Sequence, residues 1–209
     1  MTSRLLALFL AAGACFAQEW QFSGGVGYGW YHNGSVITTG GTAAAGIRNR
    51  FAVTGAVTQD LYEHFSGEIR YLYHDGDSFL ESGAVKGTVQ AQSHSFTYDA
   101  LIHIKPRASR IRPFVAGGLG AKYYETTGPA PVPQPLPGIS GIVGESQWKP
   151  LFDVGGGVIL RVSGHVILRG VLRDYITTFP NRLFTPVANA TTRGIFHQFT
   201  PMFSVGYTF

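Results

Sequence analysis

Cysteine is nearly missing from this chain: among 209 residues only Cys15 carries a thiol, and it lies close to the N-terminus. Everything after it can form neither an internal disulfide nor a thiolate metal site. Charge is scarce as well, at 13% Asp, Glu, Lys and Arg, against about a quarter in ordinary soluble domains. Past the first residues no run approaches the ~20 apolar residues that a membrane-spanning helix requires. Lys and Arg are scattered and the formal net charge is only +4, which excludes a nucleic-acid footprint. Seven histidines occur without a close pair at ligand spacing. The glycine strings "GGVGYG" (24–29) and "AGGLG" (116–120) open no helix. No metal, dinucleotide or other cofactor is therefore expected.

Glycine (28 residues) and aromatic residues (13%) are abundant, a mixture suited to strands and tight turns that meet little water. The opening "MTSRLLALFLAAGACFAQEW" has Arg4, an apolar run from Leu5 to Leu10, and small residues up to Ala17. It reads as a signal peptide over 1–17 cut between Ala17 and Gln18, leaving a domain over 18–209. The rival, lipidation at Cys15, is disfavoured by the small Ala12 upstream. An exported chain without apolar helices can enter lipid only as a closed barrel, because lipid tolerates no open sheet edge.

Period-two alternation runs through the chain. "WQFSGGVGYGWY" (20–31) sets Trp20, Phe22, Val26, Tyr28 and Trp30 against Gln21, Ser23 and glycines. Segments 43–57, 65–73, 95–104, 112–124, 148–160, 166–175 and 196–209 repeat the pattern, making eight strands. In 43–57 the apolar face comprises Ala43, Ala45, Ile47, Phe51, Val53 and Val57. Each strand is ~10 residues, enough to cross a bilayer at a tilt of about 45°. Apart from Asp174 at a strand end, the charges sit opposite the apolar face. Trp20, Phe65, Tyr207 and Phe209 form one aromatic girdle; Trp30, Tyr71, Tyr73, Tyr123 and Trp148 form the other. Short connections (58–64, 105–111, 162–165) alternate with long ones (31–42, 74–92, 125–147, 176–194). The third long connection is rich in Pro and Gly and is expected to be extended and mobile. The fold class is all-β: an eight-stranded antiparallel transmembrane β-barrel with short periplasmic turns and long extracellular loops.

The signal peptide, "FSGEIRYLY", "RPFVAGGLGAKYY", "LFDVGGGVIL", "VILRGVLRDY" and the terminal "FSVGYTF" together resemble the small OmpA-like outer-membrane β-barrels of Gram-negative bacteria. The resemblance covers roughly residues 18–209 and implies the outer membrane as location. It also implies that Phe203, Val205, Tyr207 and Phe209 form the signal read by the barrel-assembly machinery. No peptidoglycan-binding domain follows the barrel, so cell-wall anchoring is not expected.

Inward charges form the candidate site. Arg48, Arg50, Glu68, Arg70, Asp99, His103, Lys122, Lys149, Asp153, Arg161, Arg169 and Arg173 are expected to face the lumen. Eight strands enclose a space that side chains can fill, so a plug of ion pairs is the first reading. The excess of bases makes a narrow anion-favouring pore the second. A lipid-modifying enzyme comes third, since "SHSF" (93–96) directs His94 away from Ser93 and Ser95. A soluble periplasmic ligand-binding barrel is fourth. The expected role is structural or surface-interacting and not enzymatic. Partners are outer-membrane lipid and lipopolysaccharide, with the assembly machinery during biogenesis; no surface ligand is identifiable.

Overall fold

The structure, a computed structural model, describes residues 19–209; the expected signal peptide and its Ala17–Gln18 junction lie outside the described residues. Fifteen strands follow in chain order: β1 (Glu19–His32), β2 (Gly34–Thr38), β3 (Gly41–Ile47), β4 (Arg50–Tyr62), β5 (Phe65–Asp75), β6 (Ser78–Ser82), β7 (Val85–Val89), β8 (Ala91–His103), β9 (Ile111–Thr126), β10 (Ser140–Ile142), β11 (Ser146–Arg161), β12 (Val166–Thr178), β13 (Phe184–Pro186), β14 (Thr191–Arg193) and β15 (Ile195–Thr208). The eight long ones close into an antiparallel barrel in the order β1-β15-β12-β11-β9-β8-β5-β4. Closure comes from β1 pairing on one side with β15, from Gln21↔Thr208 to His32↔His197. On its other side β1 pairs with β4, from Glu19↔Asp60 to Gly29↔Arg50. Every barrel strand therefore has a hydrogen-bonded neighbour on both edges.

Alternation along each strand separates two environments. On β4, Ala52, Thr54, Ala56, Thr58 and Asp60 are buried inside, while Phe51 and Val53 face out. Outward apolar side chains at mid-height are openly exposed, with Leu119 at 69%, Val115 at 55% and Phe203 at 54%. A belt of this kind all round a molecule far exceeds the few hundred Å² of contiguous apolar patch that a water-soluble monomer carries. Along β1 the belt runs from Trp20 to Trp30, ten residue steps, which at ~3.3 Å per step and ~40° tilt is about 25 Å high. Its rims are aromatic. Phe22, Tyr207 and Phe209 pack at the short-turn end, with ring centroids 5.6 and 4.8 Å apart. Tyr123 and Trp148 pack at the loop end at 5.0 Å.

The long connections carry further strands of their own, and the third, expected to be extended and mobile, contributes Ser140–Ile142. They weave a five-stranded sheet, β14-β2-β3-β6-β7, and a two-stranded one, β10-β13. Pairs between connections hold them together: β14 with β2, β3 with β6, and β10 with β13. Beneath lies an apolar core that includes Val36, Ile47, Leu80, Ile142, Leu183 and Phe184. The tight turns it needs carry glycine at positive φ, Gly41 at +142° and Gly83 at +59°.

This cap corrects the reading of 43–57 as one strand. The ladder breaks at Arg48–Asn49, where Asn49 Oδ1 accepts the Tyr31 N–H at 2.8 Å and Asn33 Oδ1 accepts the Ile47 N–H at 2.8 Å. Below the break the odd-numbered Phe51 and Val53 face outward; above it the odd-numbered Ala43, Ala45 and Ile47 are buried in the cap.

If the outer belt meets hydrocarbon, Leu119→Arg lowers the stability of the bilayer-folded barrel by about 2–4 kcal/mol, measured by urea unfolding in lipid vesicles. A change within about 0.5 kcal/mol, normal for an exposed surface position in water, would remove the belt from lipid.

Candidate functional site: the barrel lumen

Inside the barrel, polar side chains form tiers. The lowest, near the short turns, centres on Asp60. Arg112 donates to both of its oxygens at 2.8 and 3.0 Å, Gln21 Nε2 donates at 3.0 Å, and Ser66 Oγ makes a further short bond. His103 Nε2 reaches the same Ser66 hydroxyl at 2.8 Å. Arg112 also donates to the Glu63 carbonyl at 3.0 Å, tying the tier to the turn.

The middle tier is built on Glu68, which is wholly buried. Arg169 donates to Oε2 at 2.6 Å, as does the Thr58 hydroxyl at 2.6 Å, and Arg70 forms a short bond to Oε1. Arg173 lies 3.5 Å from the same oxygen, 3.3 Å from Asp99 and 2.5 Å from Asp153. Register explains the gathering: Glu68 is the Cα partner of Asp99 and Thr58, and Asp99 the partner of Gly118. Gly118 is required there. A Cβ on it would stand 2.0 Å from Asp99 Oδ1 and 2.6 Å from Asp153 Oδ1. Apolar side chains fill the remaining width, among them Leu72, Leu101, Phe114 and Met202.

The upper tier holds Lys122. Its ammonium donates to Tyr31 Oη at 2.8 Å and to Gln198 Oε1, and lies over the rings of Tyr31 and Tyr124 at 4.8 and 4.9 Å. Above it the cap core begins.

Of the residues expected in the lumen, Glu68, Arg70, Asp99, His103, Lys122, Asp153, Arg169 and Arg173 are buried there. Arg48 and Arg50 are not, and their placement is corrected. They flank the break between β3 and β4, with side chains 43% and 44% exposed. Arg48 pairs with Glu81 at 3.1 Å, and Arg50 with Asp75 and Asp77 at 3.2 and 2.6 Å. Alternation across 43–57 implies a continuous strand, and the break lifts both guanidiniums to the water-facing rim. Arg161 is a rim residue too, paired with Glu19 at 2.9 Å. Lys149 is half-buried on the inward face of β11.

Asp60 and Arg112 are absent from the expected lumen set for different reasons: the segment 43–57 stops three residues short of Asp60, whereas Arg112 opens the segment 112–124 on the same face as Phe114 and Lys122. Extending the alternation 54, 56, 58 by one step reaches Asp60, and carrying 118, 116, 114 to the first residue of its segment reaches Arg112. On the outer face, Asp174 is met by His197 Nδ1 at 2.7 Å, and His94 by the Tyr71 hydroxyl at 2.8 Å. Ser93 and Ser95 are buried inside, so the wall separates them from His94. Phe203, Val205 and Tyr207 line the outer face of β15, and Phe209 follows directly after it, exposed on the same side.

No protein-family model and no curated protein matches the chain. Solved structures do. Neisserial surface protein A superposes with a TM-score of 0.56 at 11% identity, over 91% of this chain and 97% of that one. OprG from Pseudomonas aeruginosa gives 0.57 at 12% identity, over 91% and 95%. AlkL, solved in lipid bilayers, gives 0.50 at 16%, over 90% of each chain. The likeness establishes the fold: an all-β, closed eight-stranded barrel of the small outer-membrane kind.

Glu68 is the shared partner of the middle tier. Glu68→Ala strands buried guanidiniums and lowers stability by about 3–5 kcal/mol, read from urea unfolding or the temperature of the heat-modifiable gel shift. Adding Arg169→Met to that variant recovers part of the loss, because it removes an uncompensated charge together with its partner.

Proposed function

We propose that this chain is an outer-membrane β-barrel with a structural or surface-interaction role, a lumen closed to solutes, and no enzymatic activity. The observation that carries the reading is the pairing of buried charge. Four carboxylates (Asp60, Glu68, Asp99, Asp153) and four guanidiniums (Arg70, Arg112, Arg169, Arg173) are buried in the lumen. Each lies in an ion pair of 3.5 Å or less with a member of the other set. Charges so engaged are desolvated by one another, and a permeating ion would have to separate them at a cost of several kcal/mol per ion.

The excess of bases behind the anion-favouring pore shrinks: Arg48 and Arg50 stand at the rim, and four buried carboxylates match the four buried guanidiniums, leaving Lys122 and the half-buried Lys149. The knitted connections close the outer end with an apolar core, and they present a firm face where a surface contact would form. Location in the bacterial outer membrane is supported by the apolar belt and by the fold likeness. Outer-membrane lipid and lipopolysaccharide are the partners that such a belt meets. Against catalysis at residues 93–96 stands the division of Ser93 and Ser95 from His94 by the barrel wall, and the Ser66–His103 contact is buried within the Asp60–Arg112 ion pair.

In planar bilayers the purified protein is silent across the physiological voltage range; steady anion-selective openings would replace this reading with the pore. For assembly, the aromatic end of β15 is the proposed signal. Phe209 donates its N–H to the Trp20 carbonyl at 2.9 Å and packs on Phe22. Deleting Phe209 reduces the inserted fraction in whole cells more than it lowers the stability of refolded protein. Equal effects on both, or none on insertion, would dismiss the signal.

A further inference from the structure

Lys122 is the one buried charge, among the described residues, with no counter-charge. Its contacts are a phenol hydroxyl, an amide oxygen and two ring faces. The carboxylates below it are occupied: Asp99 and Asp153 lie against Arg173 at 3.3 and 2.5 Å. Asp153 is also four residues down β11 from the level of Lys122, or about 13 Å along the strand. The neighbour directly across the ladder aggravates the imbalance. Lys149 is the Cα partner of Lys122 and shares its inward face, and like charges directly opposite in a sheet repel.

Around this ammonium, polar atoms lack partners. Gln198 accepts from Lys122 and Tyr31 through Oε1, while its Nε2, with two hydrogens to give, has no acceptor. Ser93 Oγ, which approaches the Tyr31 hydroxyl, and His74 Nε2 form no well-aligned hydrogen bond. All three side chains are about 1% exposed. They converge: the Cβ position of Gly29 lies 2.6 Å from His74 Nε2 and 2.9 Å from Gln198 Nε2, and Ser93 is the register partner of His74. Spare hydrogen-bond donors beside an uncompensated cation favour negative charge at this level of the lumen. Water would satisfy the donors but leave a buried ammonium unbalanced at a cost of several kcal/mol, so the amine either gives up its proton or acquires an anion.

We propose that the upper lumen binds a small inorganic anion of chloride size against Lys122, with the Gln198 amide and Ser93 hydroxyl as donors. The half-buried Lys149 marks the side from which the ion arrives. One monovalent ion balances the one unpaired buried charge, and the ring faces of Tyr31 and Tyr124 with the cap core above leave no place for a large ligand. The ion completes the charge pairing of the lumen. It does not depend on the lumen being closed, since a held anion and a conducted one differ only in release.

The test uses the full chain folded in lipid, with potassium chloride exchanged for potassium gluconate at constant ionic strength. The unfolding midpoint rises by several degrees over an about hundredfold chloride range, as expected when a ligand binds only the folded state. Lys122→Met abolishes the rise, and Lys149→Gln reduces it. Crystals grown in bromide show anomalous scattering within about 3.5 Å of Lys122 Nζ, an ordinary halide-to-ammonium contact. A midpoint independent of chloride together with no bromide at Lys122 overturns the proposal, as does an unchanged chloride dependence in Lys122→Met. Should that variant fail to fold, the bromide position in the unaltered protein decides.

Discussion

Everything in this molecule depends on the closure of β1 onto β15. In hydrocarbon an unpaired backbone N–H or C=O costs several kcal/mol, so a sheet can persist there only without edges. Antiparallel registers from Gln21↔Thr208 to His32↔His197 complete the ring, and the number of strands then sets the interior width. Eight strands leave room for side chains and little else. The charges inside cannot remain hydrated and must satisfy one another.

That requirement shapes the interior residue by residue. Glu68 serves Arg70, Arg169 and Arg173 because no single pair can satisfy so many donors in so narrow a space. Gly118 has no side chain because two carboxylates already fill its position. The tiers stack along the axis, Asp60 below, Glu68 in the middle and Lys122 above, and only the last lacks an opposite charge. A balanced lumen with one unmatched cation is a more specific arrangement than a generic polar plug.

The outer end follows a different logic. Above the lipid, backbone groups can bond to water, so closure is no longer enforced and the ladder may break. It does so at Arg48–Asn49, where asparagine side chains take over as backbone partners. The chain then forms new sheets whose apolar side packs inward. The barrel buries its charges and turns a belt of apolar residues outward, while the cap buries apolar residues instead, and the change occurs within a few residues between β4 and β3.

The sequence alone determined the strand period, the alternation of short and long connections, the two aromatic girdles and most of the lumen charges. These are local properties: a strand turns its side chains to opposite faces every residue, so Glu68 and Arg70 declare a shared face without any knowledge of neighbours. What it could not determine was which apolar face meets lipid and which meets protein. Ala45 and Phe51 look alike in alternation, yet one lies in the cap core and the other on the membrane side. Nor could it match partners. The meeting of Arg169 with Glu68 spans 101 positions, and the isolation of Lys122 is a statement about every other charge in the lumen. Such facts come from register and closure, which belong to the assembled barrel because they depend on where all eight strands stand at once.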